Sequence, residues 1–355
     1  MTGTQLDLSL HGGVLTAQLV DIPSVSGQEQ ALADAIEAAL RPLPHLVVLR
    51  DGNAVAARTE LGRSERVVLA GHTDTVPIAD NVPSRLAGTR LYGCGSSDMK
   101  SGIAVQLRLA ATVPEPARDV TYLFYDAEEA EAFRNGLGRL AQTHPEMLHG
   151  DFAVLLEPTE ATVEGGCQGS LHVNVATSGR RAHSARCWLG DNAIHAAAPI
   201  LARLAAYVPR RVVVDGLEYQ EGLNAVGVAG GIASNVIPDQ CIVRVNYRFA
   251  PDRSEAQALG HVREVFAGFD VIVTESSPGA LPGLTSPIAT TFTAMVGKPP
   301  RPKYGWTDVA RFSTLGIPAV NYGPGNPNLA HTPQEYVELA AIAECEQRLR
   351  SWLTG

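Results

Sequence analysis

Short apolar runs bounded by turn residues recur at Val67–Ala70, Val120–Tyr125, Phe152–Leu156 and Ile317–Asn321. Runs this short, without polar alternation, predict strands buried on both faces, as in the parallel or mixed sheet of an α/β protein. Helical patterns lie between them. Leu32, Ile36, Ala39 and Leu40 share one helix face, with Ser26 and Glu29 at capping-box spacing before it. Another helix is predicted after Asp98, through Ile103, Leu107 and Ala110.

Between about Gly169 and Leu284 the rhythm changes. Ser170–Thr177 reads as a strand, Asn192–Tyr207 as a helix, and Leu223–Ala229 and Cys241–Ala250 as two further strands. Ser254–Phe269 reads as a second helix and Val271–Glu275 as a last strand. The order βαββαβ is that of a ferredoxin-like unit. Such an insertion over 169–284 would split the outer domain into 1–168 and 285–355, with the Pro/Gly-rich Pro278–Gly283 as the return linker.

Composition narrows the function classes. With 45% hydrophobic and 18% charged residues, the chain has material for a sizeable core and no sign of global disorder. A formal net charge of −9 lacks the footprint of a nucleic-acid binder. No basic run suits a membrane surface, and no stretch approaches the roughly 18 apolar residues of a membrane span. Cys94, Cys167, Cys187, Cys241 and Cys345 are scattered and form no CxxC pair, which argues for a reducing compartment over a disulfide framework. Arg41 is the first Lys or Arg, so the charged start of a signal peptide is missing. The expectation is a cytoplasmic protein with neither nucleic acid nor membrane as partner.

Candidate chemistry clusters after the predicted strands. In Gly71-His72-Thr73-Asp74, the Asp can accept the other ring N–H of a metal-bound imidazole, or the pair is a loop His beside a turn Asp. Asp98 follows the glycine turn Gly93-Cys94-Gly95. It suits a helix N-cap, and its two oxygens can also bridge two ions. In Asp126-Ala127-Glu128-Glu129 the paired acids repel unless a cation or a shared proton relieves them. With a metal, one carboxylate ligates while the other takes a proton from water; without one, they are the solvated start of an acidic helix. Glu157 and His331 are weak signals singly.

Together these residues say more, because all fall near one edge of the predicted sheet, where open α/β sheets gather ligands. Asp98 as a bridge gives two ligand sets, His72/Asp98/Glu157 and Asp98/Glu129/His331. Such mixed nitrogen and oxygen sets suit zinc, with cobalt or manganese as substitutes. Three carboxylates and one hydroxide offset the charge of two divalent ions, as a binuclear hydrolase site requires.

The ordered set HTDTVP, GCGSSDMKSG, DAEE, LLEP and LAH resembles the M20 family of dizinc hydrolases, over nearly the whole chain. The resemblance implies a mixed-sheet, aminopeptidase-like catalytic domain with an inserted ferredoxin-like lid that makes a homodimer. It implies two zinc ions per subunit, held by His72, Asp98, Glu129, Glu157 and His331, with Asp74 orienting His72 and Glu128 as general base. From the lid, His183 resembles the histidine that stabilises an oxyanion in the neighbouring subunit, and Asn235 and Arg248 resemble residues that contact substrate. The substrate is then a small N-acyl amino acid. The phrases RAHSARCWLGDNAIH, ASNVIPD and KYGWTDVARF look most like a desuccinylase branch found in actinobacteria, which implies N-succinyl-L,L-2,6-diaminopimelate. Other amidases of the family, such as acetylornithine deacetylases and carboxypeptidases, are the alternative, and a non-catalytic metal-retaining binder is another. Two departures stand out: Cys94 sits where the family's glycine turn commonly has Arg, and Cys167-Gln168-Gly169-Ser170 replaces an Arg-Arg-Gly-Ser stretch. A carboxylate clamp must then come from Arg181, Arg186, Arg248 or Arg311.

Overall fold

In the computed structural model of the chain, which describes residues 5–355, the strand Asp119–Tyr125 is buried from end to end between Arg66–His72 and Ala54–Arg58. Arg66–His72 runs parallel to it and to Phe152–Leu155, and Ala319–Asn321 extends the parallel set. Ala54–Arg58 and Val47–Asp51 add antiparallel strands at one side, so the sheet is mixed. Parallel neighbours need crossovers, and the helices Ser101–Thr112 and Gly136–Thr143 lie within them. The consequence is that the carboxyl ends of four parallel strands open on one edge.

The chain divides into two compact units. The larger holds the chain up to Gly165 with Pro282–Arg301 and Arg311–Gly355; the smaller holds Gly166–Leu281 with Pro302–Ala310. In the larger, helices Gly12–Val20, Gln30–Leu40 and Leu339–Thr354 bury one stripe each in a common core, and Ser101–Thr112 is buried nearly all round within it. Phe152, Phe292 and Trp352 meet there edge to face or tilted, with ring centroids 4.8–5.9 Å apart. No helix among the described residues is long and apolar enough to cross a membrane.

The smaller unit is built on strands in the order Gly222–Gly230, Gln240–Phe249, Gly169–Ser178, Asp270–Ser277, antiparallel throughout. This is the ferredoxin-like arrangement. Alternate residues Leu171, Val173 and Val175 point to the buried face, with Ile200, Ala258 and Val262 in the same core, as the period of two requires. The helix Glu255–Val265 opens with a full capping box between Ser254 and Gln257.

Three local readings change. The helix expected over Asn192–Tyr207 is two, Ala193–Ala196 and Ala198–Ala205; Pro199 has no N–H to continue the ladder. Ser26 does not cap a helix: its hydroxyl donates to Asp74 Oδ2 at 2.7 Å, and the helix begins at Gln30. The pattern also gave no notice of the helix Gly12–Val20 or of two hairpins, Val47–Arg58 and Arg211–Gln220. The second hairpin turns at Asp215-Gly216 with φ of 47° and 84°, the mirror-turn signature of a two-residue loop.

Candidate metal centre

His72 closes its strand and is 1% exposed. Asp98 reaches it from a glycine loop that only glycine can form: Gly95 is left-handed at φ 78°, and a Cβ there would lie 2.6 Å from Thr75 Cγ2. The following helix starts at Ser101 with Lys100 at its N-cap, so Asp98 is not the cap. Its oxygens serve two histidines instead. Oδ1 lies 3.2 Å from His72 Nε2, and Oδ2 lies 3.5 Å from His331 Nε2. His331 Nε2 is also 2.6 Å from Glu129 Oε1.

Ligand atoms of His72, Asp98 and Glu157 fall within 4.8 Å of one another, and so do those of Asp98, Glu129 and His331. A third set within the same span, His72, Glu128 and Glu129, brings Glu128 to the same place. Two left-handed non-glycine residues help to aim these groups: Ala127 at φ 57°, just before the acid pair, and His331 at φ 62°. Such conformations cost of order 1 kcal/mol and cluster at functional sites.

Asp74 has a wider part than orienting one ring. His72 Nδ1 lies 3.1 Å from the Asp74 carbonyl oxygen and 3.5 Å from its carboxylate. The carboxylate accepts the backbone N–H of Glu128 on Oδ1 and of Glu129 on Oδ2, each at 3.0 Å. It therefore ties the histidine strand to the acidic loop. Sequence reading missed Ser26, Lys100 and Glu335 around this centre. Lys100 is 1% exposed and donates to the Ile22 carbonyl at 2.8 Å; burial pushes its pKa down to about 8. Glu335 accepts three backbone N–H groups of the Asp98 loop. Lys100 and Glu335 carry no local pattern that marks them, and the capping-box spacing of Ser26 points away from this centre.

The electrostatics show what this edge favours. Burial opposes a charge on His72, yet bonds to Asp74 and Asp98 and the charge of Glu157 raise its pKa well above the ordinary value. Bonds to Asp98 and Glu129 raise His331 to about 10. Asp98 is held well below the usual carboxylate range, because the two histidines outweigh its burial. Crowded carboxylates thus draw positive charge onto the imidazoles, and a divalent cation satisfies the same demand more completely. Two imidazoles and three carboxylates are a donor set that fits such ions.

The remaining candidates belong to the smaller unit. The strand pair His183↔Val236 and the bond from Ser184 N–H to the Asn235 carbonyl at 2.8 Å bring His183 and Asn235 together. His183 is exposed, and its Nδ1 accepts the Ala185 N–H at 3.0 Å, so a neutral ring carries its proton on Nε2. Arg248 sits opposite Ser170 on the central strands, where burial lowers its pKa.

Residues 68–354 match the model of peptidase family M20/M25/M40. A Mycobacterium tuberculosis protein provisionally named succinyl-diaminopimelate desuccinylase is 56% identical over 353 residues, 99% of this chain and 100% of that one. The succinyl-diaminopimelate desuccinylase of Corynebacterium glutamicum is 48% identical, covering 98% of each chain. Among solved structures, an M20 family metallo-carboxypeptidase from Sulfolobus solfataricus superposes with a TM-score of 0.78 at 15% identity, over 97% of this chain and 99% of that one. That likeness is one of fold.

Proposed function

The chain belongs to peptidase family M20/M25/M40, and from that premise we propose that it hydrolyses N-succinyl-L,L-2,6-diaminopimelate to succinate and L,L-diaminopimelate with two zinc ions per subunit. The observation that carries this reading is full-length identity of 56% and 48% to proteins named as desuccinylases. The larger unit is the proposed catalytic domain and the smaller the proposed lid.

His72, Asp98 and Glu157 would hold one ion, and Asp98, Glu129 and His331 the other, with cobalt or manganese as substitutes. When bound, the ions polarise the acyl carbonyl and lower the pKa of a water toward roughly 7. Glu128 takes the proton of the attacking water as the new C–O bond forms, then delivers it to the amine as the C–N bond breaks. Asp74 holds Glu128 and Glu129 in register through their backbone N–H groups. His183 donates from Nε2 to the developing oxyanion. Asn235 and Arg248 contact the substrate, and Arg248 has no carboxylate bonded to it among the described residues, which leaves it for a substrate carboxylate.

A homodimer through the lid is part of this reading. The edge strand Gly222–Gly230 leaves Val226 and Val228 exposed, and Ile194, Leu201 and Ile232 of the same unit are exposed as well. Long open edges of this kind are sites for pairing with another chain.

Amine release from N-succinyl-L,L-diaminopimelate and N-acetylornithine, measured side by side while metal-free enzyme is titrated with zinc, tests the proposal. Zinc-dependent turnover with strong preference for the succinyl substrate is expected. Preference for the acetyl substrate would keep the chemistry and overturn the substrate; silence on both with zinc bound would overturn the reading.

A further inference from the structure

Glu335 lies four residues beyond His331, and its residue surface is 2% exposed. A buried carboxylate needs partners, and this one finds all of them in the loop that carries Asp98, about 240 residues earlier. Its Oε1 accepts the Ser97 N–H at 2.8 Å and the Asp98 N–H at 2.9 Å, and Oε2 accepts the Gly95 N–H at 3.0 Å. The left-handed Gly95 turns successive N–H groups inward, which makes an anion-binding concavity. A side chain of the protein fills it.

The same two loops are joined at further points. The Gly93 N–H donates to the Glu335 carbonyl at 3.1 Å, and Ser97 Oγ donates to the Asn326 carbonyl at 3.0 Å. Gly325 allows the contact, since a Cβ there would lie 2.2 Å from the Ser97 carbonyl oxygen. His331 sits between these attachments, on a left-handed backbone and with half its side chain exposed. His72, in contrast, is fixed by a strand paired on both sides.

We propose that Glu335 is a positioning residue that sets the distance between Asp98 and His331, and so governs retention of the ion in the Asp98/Glu129/His331 half while leaving the His72 half nearly unaffected. The inference rests on the two-ion reading above. Glu335 touches neither substrate nor a reacting atom; it acts through the backbone of one ligand and the loop of another.

The test is a zinc titration of metal-free protein against a chelating competitor, followed in parallel by the visible spectrum of the cobalt form. Wild type, Glu335→Gln, Glu335→Ala and His331→Ala are compared, each with a thermal melt of the metal-free form. Outer-shell changes of this kind typically weaken a metal about 10–100-fold. The expected result is that loss for one of two ions in Glu335→Ala, with a smaller loss in Glu335→Gln, which keeps one acceptor oxygen. The surviving step should match the one left in His331→Ala. Wild type with two ions and Glu335 variants identical to it would overturn the clamp alone. Equal weakening of both ions, or loss of the metal-free melting transition in Glu335→Gln, would also overturn it, by showing a general structural role. Wild type with fewer than two ions would overturn the two-ion reading and the clamp with it.

Discussion

The two halves of the candidate centre share Asp98 and differ in everything that holds their histidines. His72 ends a strand whose residues Val67–Ala70 pair on both sides, and it is almost wholly buried. His331 stands on the long connection after Ala319–Asn321, left-handed, with 51% of its side chain exposed. A sheet fixes the first through many cooperative bonds; the second depends on a few contacts between loops. Each half pulls on one oxygen of the same carboxylate, so a rigid half and a compliant half are coupled through one side chain. The half held by loop contacts is the one that a distant substitution can loosen.

The coarsest way to break this asymmetry is to remove what the halves share. Asp98→Ala should lose both ions and all detectable turnover, measured as bound metal per chain and as amine release. Glu128→Ala should do something different: both ions stay and turnover falls by about 10²–10⁴-fold, the usual contribution of a positioned general base. Near-normal turnover in Glu128→Ala would remove it from that role.

Acid should act on both halves at once. The raised pKa of His72 and the value of about 10 for His331 mean that both rings carry a proton near neutral pH in the metal-free protein. A ligating imidazole must give up that proton. Filling the centre between pH 6 and 8 should therefore release protons, from the rings and from a bound water, and apparent affinity should fall as pH falls. Calorimetric titration in two buffers of different ionisation enthalpy counts the protons. Release of no more than the bound water supplies would show that the rings are already neutral.

Much of this was legible in the sequence, and most of the exceptions share a cause. Val67–Ala70, Val120–Tyr125 and Phe152–Leu156 announced buried strands because residues buried on both faces leave a continuous apolar run. His72, Asp98, Glu129, Glu157 and His331 could be put forward as candidates because each sits in a short local motif, and the structure groups their ligand atoms in two sets. Ser26 was misread because its hydroxyl faces Asp74, 48 residues away, rather than its own helix. Glu335 was invisible for the same reason: a Glu after Pro333-Gln334 looks like any solvated acid until the glycine loop folds against it. The hairpin at Asp215-Gly216 was a different kind of miss, since its turn chemistry was there to be read. Long-range polar contacts leave no periodicity, so sequence pattern finds candidate ligands more readily than the groups that hold them.

A smaller effect separates the units. His183 lies in the smaller one, away from every ligand in sequence, and its Nδ1 is already committed to the Ala185 N–H. His183→Ala should leave bound metal and the melting temperature unchanged while lowering kcat by roughly 10²–10³-fold, as loss of one oxyanion donor does. An unchanged kcat would assign the ring to its local turn only.

The smallest expected effect sharpens the role of burial on the compliant side. Glu338 lies three residues after Glu335 and also makes charged contacts, with Arg90 Nε at 2.6 Å and Thr89 Oγ1 at 3.0 Å. Its side chain is 40% exposed and that of Arg90 47%, so water and salt compete for the pair and its net worth is small. The carboxylate of Glu335 has no water to turn to, and its partners are backbone groups of a ligand loop. Glu338→Gln should therefore change neither the melting temperature nor the zinc titration measurably, at low or high salt. If Glu338→Gln weakened one ion as much as Glu335→Gln does, charge near the loop would explain both, and the specific bonds to Gly95, Ser97 and Asp98 would not be what sets the His331 half.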